Sequence, residues 1–441
     1  MNLTAYDKYK DLGVAWFGAL PLHWEVKRNK NIFYEVSQLS KSGEETLLTV
    51  SHITGVTLRS EKNVNMFFAE TMEGYKICKK GDLIINTMWA WMGALGTSKY
   101  YGICSPAYNV YRNVKGVDYN PEYFEYLFRI PNSIMEMTRY SKGIVSSRLR
   151  LYPKDFFQIL SPVPPIQEQN SIAVYLNKKS TAIDRKISLL EVKISHYKEL
   201  SRKLINNIVR KGLQKDIPLK ESGIECIGKI PEHWIVERLK ALGDIETSSV
   251  NKKIEGDEVL VRLVNYTDVY GNANKEIWND ENYMVVSANK LQQQYKKLKK
   301  GDVLFTPSSE TIEDIGVSAV VMEDLKNTLY SYHILRLKFK KEIHLNFKKY
   351  LFNNDFVQEY FSKSATGTTR KILGLNTFYN LTIVFPPSQE EQIKIASYLD
   401  TKTQMIDKIT MNIARQIEGL KELRKSLIND VATGKLKVTG T

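Results

Sequence analysis

The chain has 441 residues, more than one hydrophobic core usually organises, so two or more domains are expected. Apolar residues at 43% and charged residues at 25% exclude wholesale disorder, and 63 Lys and Arg against 49 Asp and Glu leave a net charge of +14 that suits a polyanionic partner. Three cysteines with no CxxC pair argue against a disulfide scaffold or a zinc site and fit a reducing cytoplasm; no apolar run approaches the roughly 20 residues of a membrane span, and residues 1–12 carry charges where a signal peptide needs an apolar run.

Taken from its start, the chain opens on a segment that it later repeats. Gly13, Gly18, Pro21, His23, Trp24, Val26, Arg28 and Lys30 return as Gly223, Gly228, Pro231, His233, Trp234, Val236, Arg238 and Lys240, each 210 positions on. Lys79-Lys80-Gly81-Asp82 returns as Lys299-Lys300-Gly301-Asp302 at an offset of 220, and residues 108–112 return as 332–336 at 224. Pro164-Pro165 matches Pro386-Pro387. Glu168-Gln169, Ala173, Tyr175-Leu176 and Ile183-Asp184 match Glu391-Gln392, Ala396, Tyr398-Leu399 and Ile406-Asp407 at 223. The drifting offset marks insertions in a tandem duplication whose period is too long for a solenoid, so each copy is a domain plus an appendage.

Within each copy, short β-rich runs at 45–53, 82–86, 259–264, 302–306, 317–321 and 333–339 are broken by Gly, Asn and Asp and predict strands joined by turns. Helical stretches at 121–129 and 347–361 lie among them, which makes each domain α+β. After each Pro-Pro the period becomes that of a heptad seam: Ile183, Ile187, Leu190, Ile194, Tyr197, Ser201, Leu204 and Ile208 in the first copy, and Ile406, Thr410, Ile413, Ile417, Leu420, Arg424, Leu427 and Val431 in the second. Two long helices with matching apolar stripes predict a mutual, antiparallel coiled coil under a pseudo-two-fold relation; the alternative is that each helix lies on its own domain.

Motifs for chemistry are missing. Residues 223–230 read GIECIGKI and match seven positions of a phosphate-cradling loop, but Ile230 stands where a hydroxyl is required, so the stretch reads as a structural turn. No [Asp/Asn/Ser]-Pro-Pro-aromatic loop and no GxGxxG loop occurs, and Glu191-Val192-Lys193 reads as a solvated helix face rather than part of a nuclease site. His23 and His233, each beside a Trp, read as structural. No catalytic residue and no metal ligand is assigned. Binding chemistry remains, with basic residues mixed among Tyr, Trp, Asn, Ser and Thr at matched positions. The candidate DNA contacts are Ser51 and His52 against Asn265 and Tyr266. Ser146, Ser147, Arg148 and Arg150 stand against Thr368, Thr369, Arg370 and Lys371. Asn86, with Trp89 and Trp91 beyond it, stands against Thr306, Ser308 and Ser309.

A Gly-x-[Ile/Leu]-Pro-x-His-Trp opening, a Lys-x-Gly-Asp strand, a Pro-Pro-x-x-Glu-Gln approach to a long helix and duplication of the whole resemble the specificity subunit of type I restriction-modification systems over nearly the full length. In the second copy the approach, residues 386–392, is one residue longer, and 144–150 departs from the 368–374 pattern, which leaves loop roles open. The resemblance implies target-recognition domains at 1–165 and 214–387, each reading one half of a split site in double-stranded DNA. It also implies helical spacer regions at 166–213 and 388–441, where two methyltransferase subunits dock and restriction subunits later assemble. No cofactor is implied for the chain itself: S-adenosylmethionine belongs to the methyltransferase partner and ATP to the restriction partner. The seam from 183 to 208, at 1.5 Å per residue, spans roughly 39 Å, or about 11 base pairs, and so acts as a ruler. The runner-up is a nucleic-acid enzyme with an unfamiliar site, such as a methyltransferase acting alone. A third reading is a coiled-coil adaptor of incidental charge.

Overall fold

The computed structural model describes residues 2–62, 71–145, 148–214 and 216–439. They form two compact units, Met1–Glu191 with Ala414–Thr441, and Val192–Ile413. Each unit thus holds one α+β body, the first half of the long helix that follows it in sequence and the second half of the other copy's helix.

In the first unit a four-stranded antiparallel sheet runs in the order Leu95–Thr97, Leu83–Asn86, Tyr108–Asn113, Phe33–Glu35. Its side chains alternate between two cores, as the period of two demands. Leu83, Ile85 and Tyr111 join the aromatic core built on Trp24, Phe33, Phe124 and Phe156, while Ile84 and Val110 join a smaller core with Leu48, Val50, Val56, Cys78 and Cys104. Helices Pro121–Arg129 and Pro131–Tyr140 cover the aromatic side, the first of them started by Pro121 and by the Asn120 side chain, which accepts the Tyr123 N–H at 3.1 Å. The hairpin Leu48–Ser51 with Gly55–Leu58 covers the other.

The second unit repeats this order. Ser318–Val321, Val303–Phe305, Leu335–Phe339 and Gly243–Thr247 pair as their counterparts do, and Glu276–Ile277 adds a parallel edge strand. Val303, Phe305 and Leu337 face the main core, and Leu304, Ala319 and Ile334 face a second one. A three-stranded layer, Met284–Ala288, Val259–Val264 and Thr328–Tyr330, is a further part of this unit. The single helix expected over 347–361 is two, Leu345–Phe352 and Asp355–Ser364. Asn354 breaks it by leaving helical geometry and capping the second helix, its side chain accepting the Val357 N–H at 3.1 Å.

The repeated motifs are joints. In the first unit Glu168, in the opening turn of the helix Ile166–Lys211, binds His23 Nε2 at 2.5 Å and accepts from the Trp24 indole at 3.0 Å and the Tyr6 hydroxyl at 2.8 Å. In the second, Glu391 binds His233 Nε2 at 2.8 Å and accepts from Trp234 at 2.9 Å. The neighbouring glutamines are buried and tie the same turn to the body: the Asn120 N–H donates to Gln169 at 2.7 Å, and the His344 N–H to Gln392 at 2.7 Å. The Lys-x-Gly-Asp turn places Gly81 and Gly301 at φ of +91° and +88°, where glycine is favoured. Asp82 then takes a bidentate pair from Arg112 at 2.7 Å, and Asp302 lies 3.5 Å from Arg336.

Along both long helices, Ile166–Lys211 and Gln389–Ala432, the heptad positions are the buried or half-buried stripe and their neighbours are mostly exposed. Within the first unit the two helical segments run antiparallel: Val431 and Ala432 share a core with Ile172 and Leu176, and Arg424 reaches back to Asp184 at 3.2 Å. Ile208 and Val209 share the second unit's core with Ile395 and Leu399. Glu191, Val192 and Lys193 are exposed, as a solvated face requires. Among the described residues no helix is long and apolar enough to cross a membrane.

Candidate nucleic-acid interface

In each unit the strand that follows the Lys-x-Gly-Asp turn ends against a hairpin-like loop. The Leu151 N–H donates to the Thr87 carbonyl at 3.1 Å, and the Leu373 N–H donates to the Pro307 carbonyl at 2.8 Å. The loops close by the ladder pairs Lys142↔Arg150 and Thr366↔Ile372. Glycine is needed at the bend: a Cβ on Gly367 would lie 2.3 Å from the Arg370 carbonyl oxygen, and one on Gly143 2.7 Å from that of Arg148. Two of the three stretches singled out in the sequence are therefore neighbours in space in both copies.

In the second unit the early-strand candidates join them. Asn265 is buried and caps the helix Tyr266–Tyr270, exchanging bonds with the Tyr266 and Asp268 groups, so its side chain serves the fold. Tyr266 stacks on Tyr270 with centroids 5.4 Å apart and planes 20° from parallel. The Arg370 guanidinium sits 5.7 Å from the Tyr266 ring centroid, and its Nε donates to Ser308 Oγ at 3.1 Å. Ser308 is held there because Ser308–Ser309 pairs with Lys371–Ile372. Thr368 and Thr369 are exposed at the loop tip, and the Lys371 amine turns back to the Gly367 carbonyl at 2.8 Å. Ser309 is buried. Thr306 is 0% exposed and spends its hydroxyl on the Val317 carbonyl, so it offers nothing to a ligand. Tyr332 and His333, not chosen from the sequence, lie beside this group with ring centroids 3.9 Å apart and planes tilted by 37°. Burial, then the cations Lys252 and Arg370, hold the His333 imidazole below its usual pKa. Its position at the start of a repeated strand was the available signal.

The first unit is arranged differently. Ser51 accepts the Lys62 amine at 2.8 Å, and the His52 and Ile53 carbonyls accept Arg129 Nη2 at 2.9 and 2.8 Å. Among the described residues no hydrogen bond joins Ser51 or His52 to the 142–150 loop. Asn86 is buried and its side chain accepts the Met88 N–H at 3.2 Å, a turn role rather than a reading one. Arg148 and Arg150 are exposed; Ser146 and Ser147 lie outside the described residues. Trp89 is 49% exposed and is not core, while Trp91 is half-buried with its indole bonded to the Met88 carbonyl. Residues 223–230 carry no helix after the turn: Lys229–Pro231 is a strand with Ile230 fully buried.

Residues 231–419 match the family described as the type I restriction modification DNA specificity domain. The specificity subunit of the type I restriction enzyme MjaVIII of Methanocaldococcus jannaschii is 24% identical over 320 residues, which is 72% of this chain and 70% of that protein. A chain solved in work on complex assembly and conformational transition of the type I R-M system superposes with a TM-score of 0.69 at 16% identity, over 94% of this chain and 98% of that one. The HsdS subunit of Thermoanaerobacter tengcongensis gives a TM-score of 0.54 at 16% identity, again over 94% and 98%. Two copies of one α+β body, each with a long helix, give the chain the fold of these solved structures. Residues 231–419 therefore resemble a type I restriction modification DNA specificity domain, and the chain as a whole is similar to the specificity subunits of type I restriction-modification systems.

Proposed function

We propose that this chain recognises a bipartite duplex site, with residues 1–165 reading one half and 214–387 the other. The helical regions 166–213 and 388–441 serve to dock two methyltransferase subunits and, where present, restriction subunits. The observation that carries this reading is the repeat of one sheet order with a glycine-closed loop on the same strand end in both copies. One helix of 46 residues is about 69 Å long, and stiff spacers of this kind fix the gap between half-sites. Exposed cations set register on phosphates, and the excess of +14 makes binding fall steeply with salt. S-adenosylmethionine and ATP belong to the partners. The test is exchange of residues 214–387 for those of a relative, followed by mapping of methylated positions in host DNA: one half of the site changes and the other stays. A change in both halves defeats the modular reading.

A further inference from the structure

Resting on the reading above, we propose that Arg370 reads a guanine in the half-site of the second recognition domain, with its two Nη nitrogens directed at the O6 and N7 acceptors of that base. A guanidinium has five N–H donors in a planar fork. In Arg370 the Nε–H is bonded to Ser308 Oγ at 3.1 Å and one face lies towards the Tyr266 ring, which is itself stacked on Tyr270. Among the described residues neither Nη nitrogen makes a hydrogen bond or ion pair, and the side chain is exposed. The fork is therefore fixed along one edge and one face, and its distal edge is open.

That arrangement suits a base more than a phosphate. A phosphate contact tolerates a mobile cation, since it needs charge and little angular definition, whereas parallel donation to O6 and N7 needs the guanidinium plane held in register with the base. Two features of the surroundings agree. Lys371, the adjacent cation, is turned back to the Gly367 carbonyl, and the Arg370 Nε–H is tied to Ser308. Of the two cations in this loop, Arg370 is thus the one oriented outward.

The experiment uses the full chain assembled with its methyltransferase subunits and a pool of duplexes randomised across both half-sites. The wild-type complex selects a guanine in the half assigned to residues 214–387. R370A lowers preference for that guanine roughly 10- to 100-fold at one position. R370K lowers it comparably, because an amine keeps the charge but not the parallel donors. Y266F keeps the preference, while Y266L and S308A weaken it without altering the other half-site, which marks them as positioning residues. Should R370A fail to assemble, R370K carries the test. The proposal is overturned if the wild-type half-site contains no guanine on either strand, or if R370A and R370K weaken all duplexes equally with base preferences intact. Either result leaves the two-domain reading standing; that reading falls only to the exchange experiment.

Discussion

Trp234 donates its indole N–H to Glu391 at 2.9 Å across 157 residues of sequence, and Trp24 makes the same bond to Glu168 at 3.0 Å. These are the two ends of the two most recognisable motifs in the chain. The His-Trp pair at the start of a body and the Glu at the start of a helix are matched because one holds the other. A glutamate with two or three donors converging on it is a strong joint, and its loss leaves a buried indole N–H without an acceptor.

Glu391→Ala is expected to destabilise the second unit by about 2 kcal/mol, read as faster amide exchange around residues 234 and 391 with the first unit unchanged. Glu168 adds a pH dependence. Burial pushes its carboxyl up, but the bonds from His23, Trp24 and Tyr6 outweigh that and hold it below its ordinary value. A lowered folded pKa gives stabilisation that is present above the unfolded value near 4.5 and lost as pH falls through the folded one. Glu168→Gln should therefore flatten the acid limb of the first unit's stability curve; an unaltered limb refutes the assignment.

Lys348 is 6% exposed and donates to the Gly301 carbonyl at 2.8 Å, and burial brings its amine from 10.5 down to about 8. Folding then disfavours the protonated form. The penalty is full below about 8 and is relieved as pH rises towards 10.5, on the order of 3 kcal/mol at neutral pH. Lys348→Met also loses the bond to Gly301, so a net gain of about 1–2 kcal/mol is expected at pH 7. Thermal melts of the two proteins across pH 7 to 10.5 should show that gain shrinking; a constant difference contradicts the burial argument.

Asp82, 2% exposed, takes two bonds from the Arg112 guanidinium and a third from the Lys79 N–H at 2.7 Å. Asp82→Ala strands the guanidinium and should cost about 3–5 kcal/mol, whereas removal of the exposed Asp324 carboxylate, bonded to Lys299 at 2.9 Å, should leave the melting temperature unchanged. Equal shifts in the two variants would show that burial is not what makes the first pair matter.

Deletion of four residues at matched places in both long helices removes ~6 Å and should shorten the preferred gap between half-sites by roughly one to two base pairs. Genome-wide methylation mapping reads the gap directly, and an unchanged gap argues against a ruler.

Much of this was legible in the residues. The duplication and the heptad stripes follow from period and offset, which are local properties of a chain, and the strands read at 259–264 and 333–339 are found at Val259–Val264 and Leu335–Phe339. The break at Asn354 was missed because the apolar pattern of 347–361 continues through it, and only a cap bond reveals the stop. Site residues were harder. Asn265 and Thr306 have the chemistry of base readers, yet one caps a helix and the other bonds a buried carbonyl. Residue type announces what a side chain can bond, not whether the backbone has already claimed it. The Arg370, Tyr266 and Ser308 cluster joins three segments spread over about a hundred residues, and no spacing rule finds such a meeting.

The strand Asn2–Thr4 pairs with Lys437–Thr439, and residues 414–439 belong to the first unit while the second is contiguous from 192 to 413. Translation therefore reverses the apparent order of completion. The second unit has all its parts once residue 413 has left the ribosome, whereas the first must wait, with a sheet edge and an apolar helix face uncovered, for residues 414–439. A ribosome stalled before residue 414 would leave a chain with the second unit finished and the first incomplete.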